Sequence, residues 1–363
     1  MTKQRIVLTG GGTAGHVTAN IALLPGLREE GYEVYYIGSY QGIEKTLMAE
    51  QGVPYTGIAT GKLRRYFDIK NFSDPFRVIK GYFEAKKALK SIRPSIVFSK
   101  GGFVAVPVVY AAHSLHIPVV THESDMTPGL ANRLCLKYAE KICCNFPETL
   151  EKLPKDKAVL TGDPIRAMLL SGDRAEGLRM NGFDGTKPVL MIIGGSLGSV
   201  AINQAVRASL PEILKTFDVI HVAGKGHLDE TLEGTPGYKQ YEYIGDGLQH
   251  LYAAADLLIS RAGANVICEI LALKKPNILI PLPLDASRGD QILNAQSFEK
   301  QGFSVVLDQH EIEKEPEKLL ESIRTTYENR GKYIKAMEEA QEESGADQVL
   351  RVIDSVVKGK EKI

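Results

Sequence analysis

One pattern occurs twice in this chain and limits what the chain can become. Near the start, the apolar run Arg5-Ile-Val-Leu8 leads into Gly10-Gly-Gly-Thr-Ala-Gly-His16, and then into helical apolar spacing through Ile21, Leu24 and Leu27. After Lys187-Pro188 the order repeats: Val189-Leu-Met-Ile-Ile193, then Gly194-Gly-Ser-Leu-Gly198, then a second helical stretch. Gly11-Gly12-Thr13 and Gly15 align with Gly194-Gly195-Ser196 and Gly198, and Asn20 and Asn203 each fall eight residues past the second glycine. A buried strand, a glycine turn and a helix open a β-α-β unit. Two such openings predict an α/β fold of two Rossmann-like domains facing a cleft, with both glycine loops at the carboxyl ends of their strands, where open parallel sheets bind ligands.

Further short apolar runs separated by helix-length segments fit this reading. They are Val34-Tyr-Tyr-Ile37, Ser95-Ile-Val-Phe98, Ile117-Pro-Val-Val120 and Lys141-Ile-Cys-Cys144 in the first half, and Val219-Ile-His-Val222, Leu257-Leu-Ile259 and Asn277-Ile-Leu-Ile280 in the second. The alternation pauses around Thr161-Gly-Asp-Pro164, which predicts an N-terminal domain over 1–163 and a C-terminal domain over 164–340. The remaining segment, 341–363, carries Val349, Leu350, Val352, Ile353, Val356 and Val357 as a helical stripe able to dock on either half.

Composition excludes several classes. Lys plus Arg and Asp plus Glu number 44 each, so no overall charge favours a polyanion. The four cysteines form no Cys-x-x-Cys pair, which argues against a zinc site or a disulfide framework and for reduced thiols. The longest clean apolar run, Phe103 to Ala112, is interrupted by Pro107 and is about half the ~20 residues a spanning helix needs. The N-terminus lacks the basic-then-apolar pattern of a signal peptide. Charge is nevertheless uneven. Residues 62–93 hold ten basic and three acidic side chains, interleaved with Tyr66, Phe67, Phe72, Phe76, Tyr82 and Phe83. That mixture suits peripheral contact with anionic lipid headgroups, against the plainer alternative of a solvated basic helix. Nucleic acid is not expected, because no recognised binding module is present.

The first glycine loop matches Gly-x-Gly-x-x-Gly at Gly10, Gly12 and Gly15, a spacing whose backbone N–H groups favour a phosphate-bearing ligand. The strand that follows ends Ile37-Gly-Ser-Tyr40 without the carboxylate that would hold an NAD ribose. The same glycines also serve tight strand–helix packing. His16 follows the loop at a helix start, where the helix dipole disfavours imidazolium and suits a general base. In the second half, Ser196 can add a hydroxyl to a phosphate. Glu269, in the helix after Ser260-Arg-Ala-Gly-Ala264, can accept both hydroxyls of a ribose, and Asp290 and Gln291 are side chains of the type that hold sugar hydroxyls. Two anion loops with these groups point to a nucleotide-diphosphate sugar. There is no Asp-x-Asp triplet and no His/Cys cluster, so no metal ligands and no obligatory cofactor are expected.

Taken in order, these motifs resemble the MurG-type N-acetylglucosaminyltransferases of bacterial peptidoglycan synthesis. They are Gly10-Gly-Gly-Thr-Ala-Gly-His16, Ser99-Lys-Gly-Gly-Phe-Val104, His122-Glu-Ser-Asp-x-x-Pro-Gly-Leu-x-Asn132, Gly194-Gly-Ser-Leu-Gly198, Arg261-Ala-Gly-Ala264 with Glu269, and Asp290-Gln-x-x-Asn-Ala295. The resemblance spans nearly the whole chain. It implies the two-domain GT-B fold with a last helix crossing back to the N-terminal domain. It implies inverting transfer of N-acetylglucosamine from UDP to undecaprenyl-diphosphate-linked muramoyl-pentapeptide. It also implies a peripheral place at the cytoplasmic face of the cell membrane, and possible membership of a cell-wall synthesis complex. On the donor side it implies roles for Arg166, Ser196, the Ile244 backbone, Ala264, Glu269, Gln291 and Asp290. Thr13, Ala14, Gly15 and His16 would lie where donor meets acceptor, with His16 the base. Lys100, Gly101, Gly102, His122, Glu123 and Asp125 would lie on the acceptor side. Two positions depart from the family pattern: Ala14 stands where many members have Gly, and Ser124-Asp125 where they have Gln-Asn. Asp125 would place a negative charge near a diphosphate.

Three other readings share part of this pattern: a UDP-sugar transferase acting on diacylglycerol, a UDP-N-acetylglucosamine 2-epimerase, and a non-catalytic nucleotide-sugar sensor or cell-wall scaffold. Gly101-Gly-Phe103 and His122-Glu123 tilt against the first, and the basic aromatic segment against the second. The intact loops with His16, Glu269 and Gln291 tilt against the third.

Overall fold

The computed structural model describes residues 4–61, 74–195, 198–340 and 343–360. The chain divides into two compact units, residues 1–166 with 343–363, and residues 167–342.

The described residues of the first unit hold seven strands: β1 (Arg5–Thr9), β2 (Glu33–Ser39), β3 (Tyr55–Ile58), β4 (Ile96–Ser99), β5 (Val119–Glu123), β6 (Lys141–Cys144) and β7 (Ala158–Leu160). They form one sheet in the order β3-β2-β1-β4-β5-β6-β7, and every pairing is parallel. A parallel sheet needs helices on both faces, and the side-chain alternation shows both being covered. Ile6 and Leu8 of β1, with Ile96 and Phe98 of β4, point into one apolar cluster, while Val7 and Val97 between them point into another. The helix Gly345–Lys360 closes the first of these clusters. Its Val349, Leu350, Ile353 and Val357 pack with Leu23, Leu24 and Leu27 of the helix Ala14–Glu29. Gly26 makes that approach possible, since a Cβ there would lie 2.3 Å from Leu350 Cδ1.

The second unit holds β8 (Val189–Ile193), β9 (Asp218–Val222), β10 (Tyr238–Tyr241), β11 (Leu257–Ser260), β12 (Asn277–Leu279) and β13 (Val305–Val306), ordered β10-β9-β8-β11-β12-β13 and again all parallel. Leu190, Ile192, Leu257, Ile259 and Ile278 anchor its core.

The two asparagines of the repeat do the same work in each unit. Asn20 Nδ2 donates to the Thr9 carbonyl (3.3 Å) and to Tyr36 Oη (3.2 Å). Asn203 Nδ2 donates to the Ala223 carbonyl (2.8 Å), and its Oδ1 pairs with His221 Nε2 (2.9 Å). In both units a buried amide ties the helix after the glycine loop to the backbone at a strand's carboxyl end.

Candidate active site

Strand order reverses between β1 and β4 in the first unit and between β8 and β11 in the second. At such a switch point the loops leaving the two strands diverge and open a crevice at their carboxyl ends. In the first unit those loops are Gly10–His16 and Lys100–Gly102, and they pass very close to each other. Gly102 has φ +80°, and a Cβ on it would lie 2.2 Å from the Gly11 carbonyl oxygen. Gly12 has φ +91° and faces the Phe103 ring, which a Cβ would meet at 2.6 Å. These glycines are required by backbone conformation and by approach, so strand–helix packing and ligand access share one cause. Thr13 precedes the helix Ala14–Glu29, and Ala14 and Gly15 form its first turn.

The Thr13 hydroxyl does not cap its helix and instead pairs with His16 Nδ1 at 3.0 Å. His16 is half-buried. Burial, and then the charge of Lys100, push its imidazole down to about 4, while a hydrogen bond with the Gly11 backbone and the charge of Asp163 act the other way. His16 is therefore neutral at physiological pH, as a base must be.

Beneath this loop lies a buried polar cluster. Lys100 is 1% exposed, and its ammonium meets His122 Nδ1 (2.8 Å), Ser124 Oγ (2.6 Å) and Asp163 Oδ1. All three N–H donors are thus used inside the protein. The side chain of Lys100, expected on the acceptor side, is turned inward, where it finds its counter-charge in Asp163. His122 and Glu123 end β5 and are buried as well. His122 Nε2 donates to the Gly162 carbonyl (3.0 Å), leaving Nδ1 as acceptor for Lys100. Burial and the Lys100 charge hold this ring down to about 3. Glu123 spans the next loop: its Oε2 accepts from Asn132 Nδ2 (2.8 Å) and Gly129 N (3.1 Å), and its Oε1 from Asp125 N (3.0 Å). Burial raises its carboxyl to about 7 in spite of these donors. His122 and Glu123 are thus buried supports of the crevice wall, whereas Asp125 is half-buried at its edge. Two members of this neighbourhood had no signal in the sequence. Asp163 is 63 positions from Lys100. Glu44 lies against Gly11, with its Oε1 accepting from Ser39 N (3.0 Å) and Ser39 Oγ (2.5 Å).

In the second unit three helices begin at carboxyl ends of neighbouring strands: Val200–Ile213 after β8, Ala264–Ala272 after β11, and Asp290–Lys300 after β12. Their N-termini present positive dipole ends, a setting for an anion, although Ile202 N of the first is already bonded to Ser199 Oγ (3.3 Å). Ala264 and Asp290 are first residues of two of these helices, and Gln291 Oε1 accepts from Leu282 N (3.1 Å), fixing the loop after β12. Glu269 is half-buried in the second turn of its helix, with the Tyr252 hydroxyl 3.4 Å from Oε2. Ile244 lies buried in the loop after β10, and Ser196 lies outside the described residues. Arg166 is half-buried and closes the first unit, three residues beyond the expected boundary at 163. Arg261, quoted above without a role, is buried and ties the strand ends together. It donates to the Ile280 (3.0 Å) and Pro281 (3.1 Å) carbonyls, to Gln309 Oε1 (2.7 Å) and to Ser199 Oγ (2.7 Å), the oxygen that caps the helix Val200–Ile213. Among the described residues no group of three or more His, Cys, Asp or Glu side chains is placed to hold a metal ion.

Two all-parallel units, each with a glycine loop at its switch point, have the architecture of the GT-B fold. Residues 6–144 match the glycosyltransferase family 28 N-terminal domain and residues 189–351 its C-terminal domain. The chain belongs to glycosyltransferase family 28. It is 60% identical, over 97% of its length and 99% of the relative's, to the UDP-N-acetylglucosamine–N-acetylmuramyl-(pentapeptide) pyrophosphoryl-undecaprenol N-acetylglucosamine transferase of Lachnoclostridium phytofermentans. It is 59% identical, over 96% and 98%, to the transferase of the same name from Lachnospira eligens. Among solved structures, Acinetobacter baumannii MurG superposes with TM-score 0.76 at 27% identity, covering 98% of this chain and 99% of that one. The Neisseria meningitidis UDP-GlcNAc 2-epimerase shares the fold alone, with TM-score 0.66 at 13% identity, covering 98% of this chain and all of that one.

Proposed function

We propose that this chain moves N-acetylglucosamine from UDP to the muramoyl-pentapeptide of an undecaprenyl diphosphate lipid, inverting the anomeric centre. The observation that carries this reading is the full-length likeness to transferases of that name, in a chain that retains both glycine loops, His16, Glu269 and Gln291. In the reaction the acceptor 4-hydroxyl attacks the anomeric carbon, His16 takes its proton, and UDP departs. Charge then grows on the leaving diphosphate. The N-terminus of the helix after Gly263 is placed to stabilise it, together with the second glycine loop, of which Ser196 and Leu197 lie outside the described residues. Glu269 holds the ribose, the Ile244 backbone the uracil edge, and Gln291, Asp290 and Ala264 the sugar, with Ser196 at the diphosphate and Arg166 in the donor site. Gly101, Gly102 and the Gly10–Gly15 backbone receive the acceptor diphosphate, and Lys100 supports them from behind. The test is incubation with radiolabelled UDP-N-acetylglucosamine and lipid-linked muramoyl-pentapeptide. Label in the lipid fraction is the expected result. Label in free N-acetylmannosamine, in a diacylglycerol glycolipid or in neither would overturn the reading in favour of one of its rivals.

The acceptor is a lipid, which calls for a membrane-facing surface. No helix among the described residues is long and apolar enough to span a bilayer. The helix Asp74–Ile92 instead buries Ala85 and Leu89 in the first unit and turns Phe76 (74% exposed), Ile79 and Phe83 (63%) outward beside exposed Arg77, Lys80 and Lys87. Apolar side chains among cations suit an anionic headgroup layer, where each lysine contributes about 1 kcal/mol. Tyr66, Phe67 and Phe72 of the same stretch lie outside the described residues. Affinity for phosphatidylglycerol vesicles, measured by co-sedimentation, should fall about thirtyfold on Lys80→Gln/Lys87→Gln substitution and fall again in high salt. Binding indifferent to both salt and anionic lipid would remove this surface from consideration.

A further inference from the structure

Lys100 and Asp163 are oppositely charged, fully interior and paired with each other, and neither touches a substrate in the transfer reaction. Such a pair is costly: each ion loses its hydration, and a well-packed apolar pair of the same size would often be no less stable. Its position is specific. The Lys100 backbone N–H donates to the Thr9 carbonyl (2.9 Å), the last residue before the glycine loop. A Cβ on Gly10 would lie 3.1 Å from Lys100 Cβ. Asp163 is held from the other side, since a Cβ on Gly345 would lie 2.3 Å from its carbonyl oxygen. Asp163 Oδ1 faces the ammonium, while Oδ2 is buried with no hydrogen-bond partner. The loop on top of this pair carries His16.

We propose that Lys100 and Asp163 are positioning residues for His16: a buried ion pair that braces the glycine loop from beneath and biases the protonation of the imidazole resting on it. The proposal depends on His16 being the base. Charges close to a partly buried ring act through a medium far less polarisable than water. The ammonium disfavours an imidazolium above it and keeps the resting base neutral. The carboxylate, with one oxygen unspent, favours the same cation at the moment the ring accepts the acceptor's proton. The two act on the His16 ring with opposite sign: Lys100 lowers its proton affinity and Asp163 raises it. His122 lies beside the pair and is neutral, accepting from Lys100 on one nitrogen and donating to Gly162 on the other. The other groups packed around the loop are Glu44 under Gly11 and Tyr36, whose hydroxyl donates to the Gly10 carbonyl (2.7 Å). Neither changes in the variants below.

The opposite signs make the experiment decisive. The His16 imidazole is titrated by NMR in the folded full-length protein, with a His16→Gln sample to assign its signal, and the acid limb of kcat/KM is recorded in parallel. Lys100→Met should move both midpoints up by about one pH unit. Asp163→Asn should move them down, because Lys100 stays charged throughout the acid range, so the ring remains neutral to the acid end of the folded range. The charge-balanced double variant should return close to the parent, and Lys100→Arg should keep the parent's titration. Should Lys100→Met fail to fold around a lone carboxylate, the double variant, Lys100→Arg and Asp163→Asn still decide the question. A His16 titration that stays put, or that moves the same way in Lys100→Met and Asp163→Asn, overturns the proposal. A titration that moves with opposite signs while the kcat/KM limb does not follow supports the ion pair and overturns His16 as the base.

Discussion

Replacing His16 by alanine should lower kcat by about two to four orders of magnitude, the usual worth of a positioned general base, while the affinity for UDP stays within a few-fold. The asymmetry follows from where the groups lie. His16 belongs to the first unit and the ribose- and uracil-side candidates to the second, so removing one imidazole leaves the donor's contacts in place. Nor can a neighbouring histidine take over. His122 has both ring nitrogens committed inside the protein and is held down to about 3. His16 alone among the histidines of this unit's crevice is half-open and bonded through Nδ1 to a hydroxyl that can rotate. Because its imidazole sits at about 4, kcat/KM should be flat from pH 8 to near 5 and should fall below that as the ring takes a proton. An acid limb centred near 6.5, or an alanine variant as active as the parent, would take the proton-transfer role away from His16.

The four strands that apolar patterning missed share one property. β3, β7, β10 and β13 are the outer strands of the two sheets. An inner strand of a parallel sheet is covered on both faces and reads as an unbroken apolar run, such as Val189-Leu-Met-Ile-Ile193. An edge strand is covered less and can be polar, as in Tyr238-Lys-Gln-Tyr241, or only two residues long, as in Val305-Val306. The strand expected from Ile117 begins only at Val119, because Pro118 has no N–H to give to the ladder. The candidate site divides in a similar way. Glycine loops, helix starts and His16 are local features, and the chain announces them. Lys100 was legible as a residue beside the loop, but its direction depends on Asp163, and a partner 63 positions away leaves no local trace. Glu123 looked like a ligand-facing carboxylate for the same reason: its partners, Asn132 and the Asp125 and Gly129 amides, become visible only once the loop closes around it.

Acid should weaken both units well before ordinary carboxylates protonate. His221 is buried, with Nδ1 paired to Tyr238 Oη (2.9 Å) and Nε2 to Asn203 Oδ1 (2.9 Å), and burial holds it down to about 3. In the unfolded chain the same ring binds a proton below about 6.5. The unfolded state therefore takes up a proton that the native state refuses. Stability is fully present above 6.5 and declines as pH falls towards 3, at about 1.4 kcal/mol per pH unit for each such ring. From pH 6.5 to 5 the second unit should lose roughly 2 kcal/mol. The first unit has two such rings, His16 at about 4 and His122 at about 3, but Glu123 opposes them. Held at about 7 instead of the usual 4.5, Glu123 keeps a proton in the native state that the unfolded chain has released. Its contribution is complete below 4.5 and lost as pH rises through 7, so between 4.5 and 6.5 it cancels one histidine, and the first unit should fall no more steeply than the second. Hydrogen exchange of the amides in β4 and β8 measures the two units separately and should show this parallel loss. Glu123→Gln removes the opposing proton and should make the β4 amides lose protection up to about twice as steeply, while β8 is unchanged. Equal protection at pH 5 and pH 7 would mean that these rings are charged, or hydrated, inside the native protein.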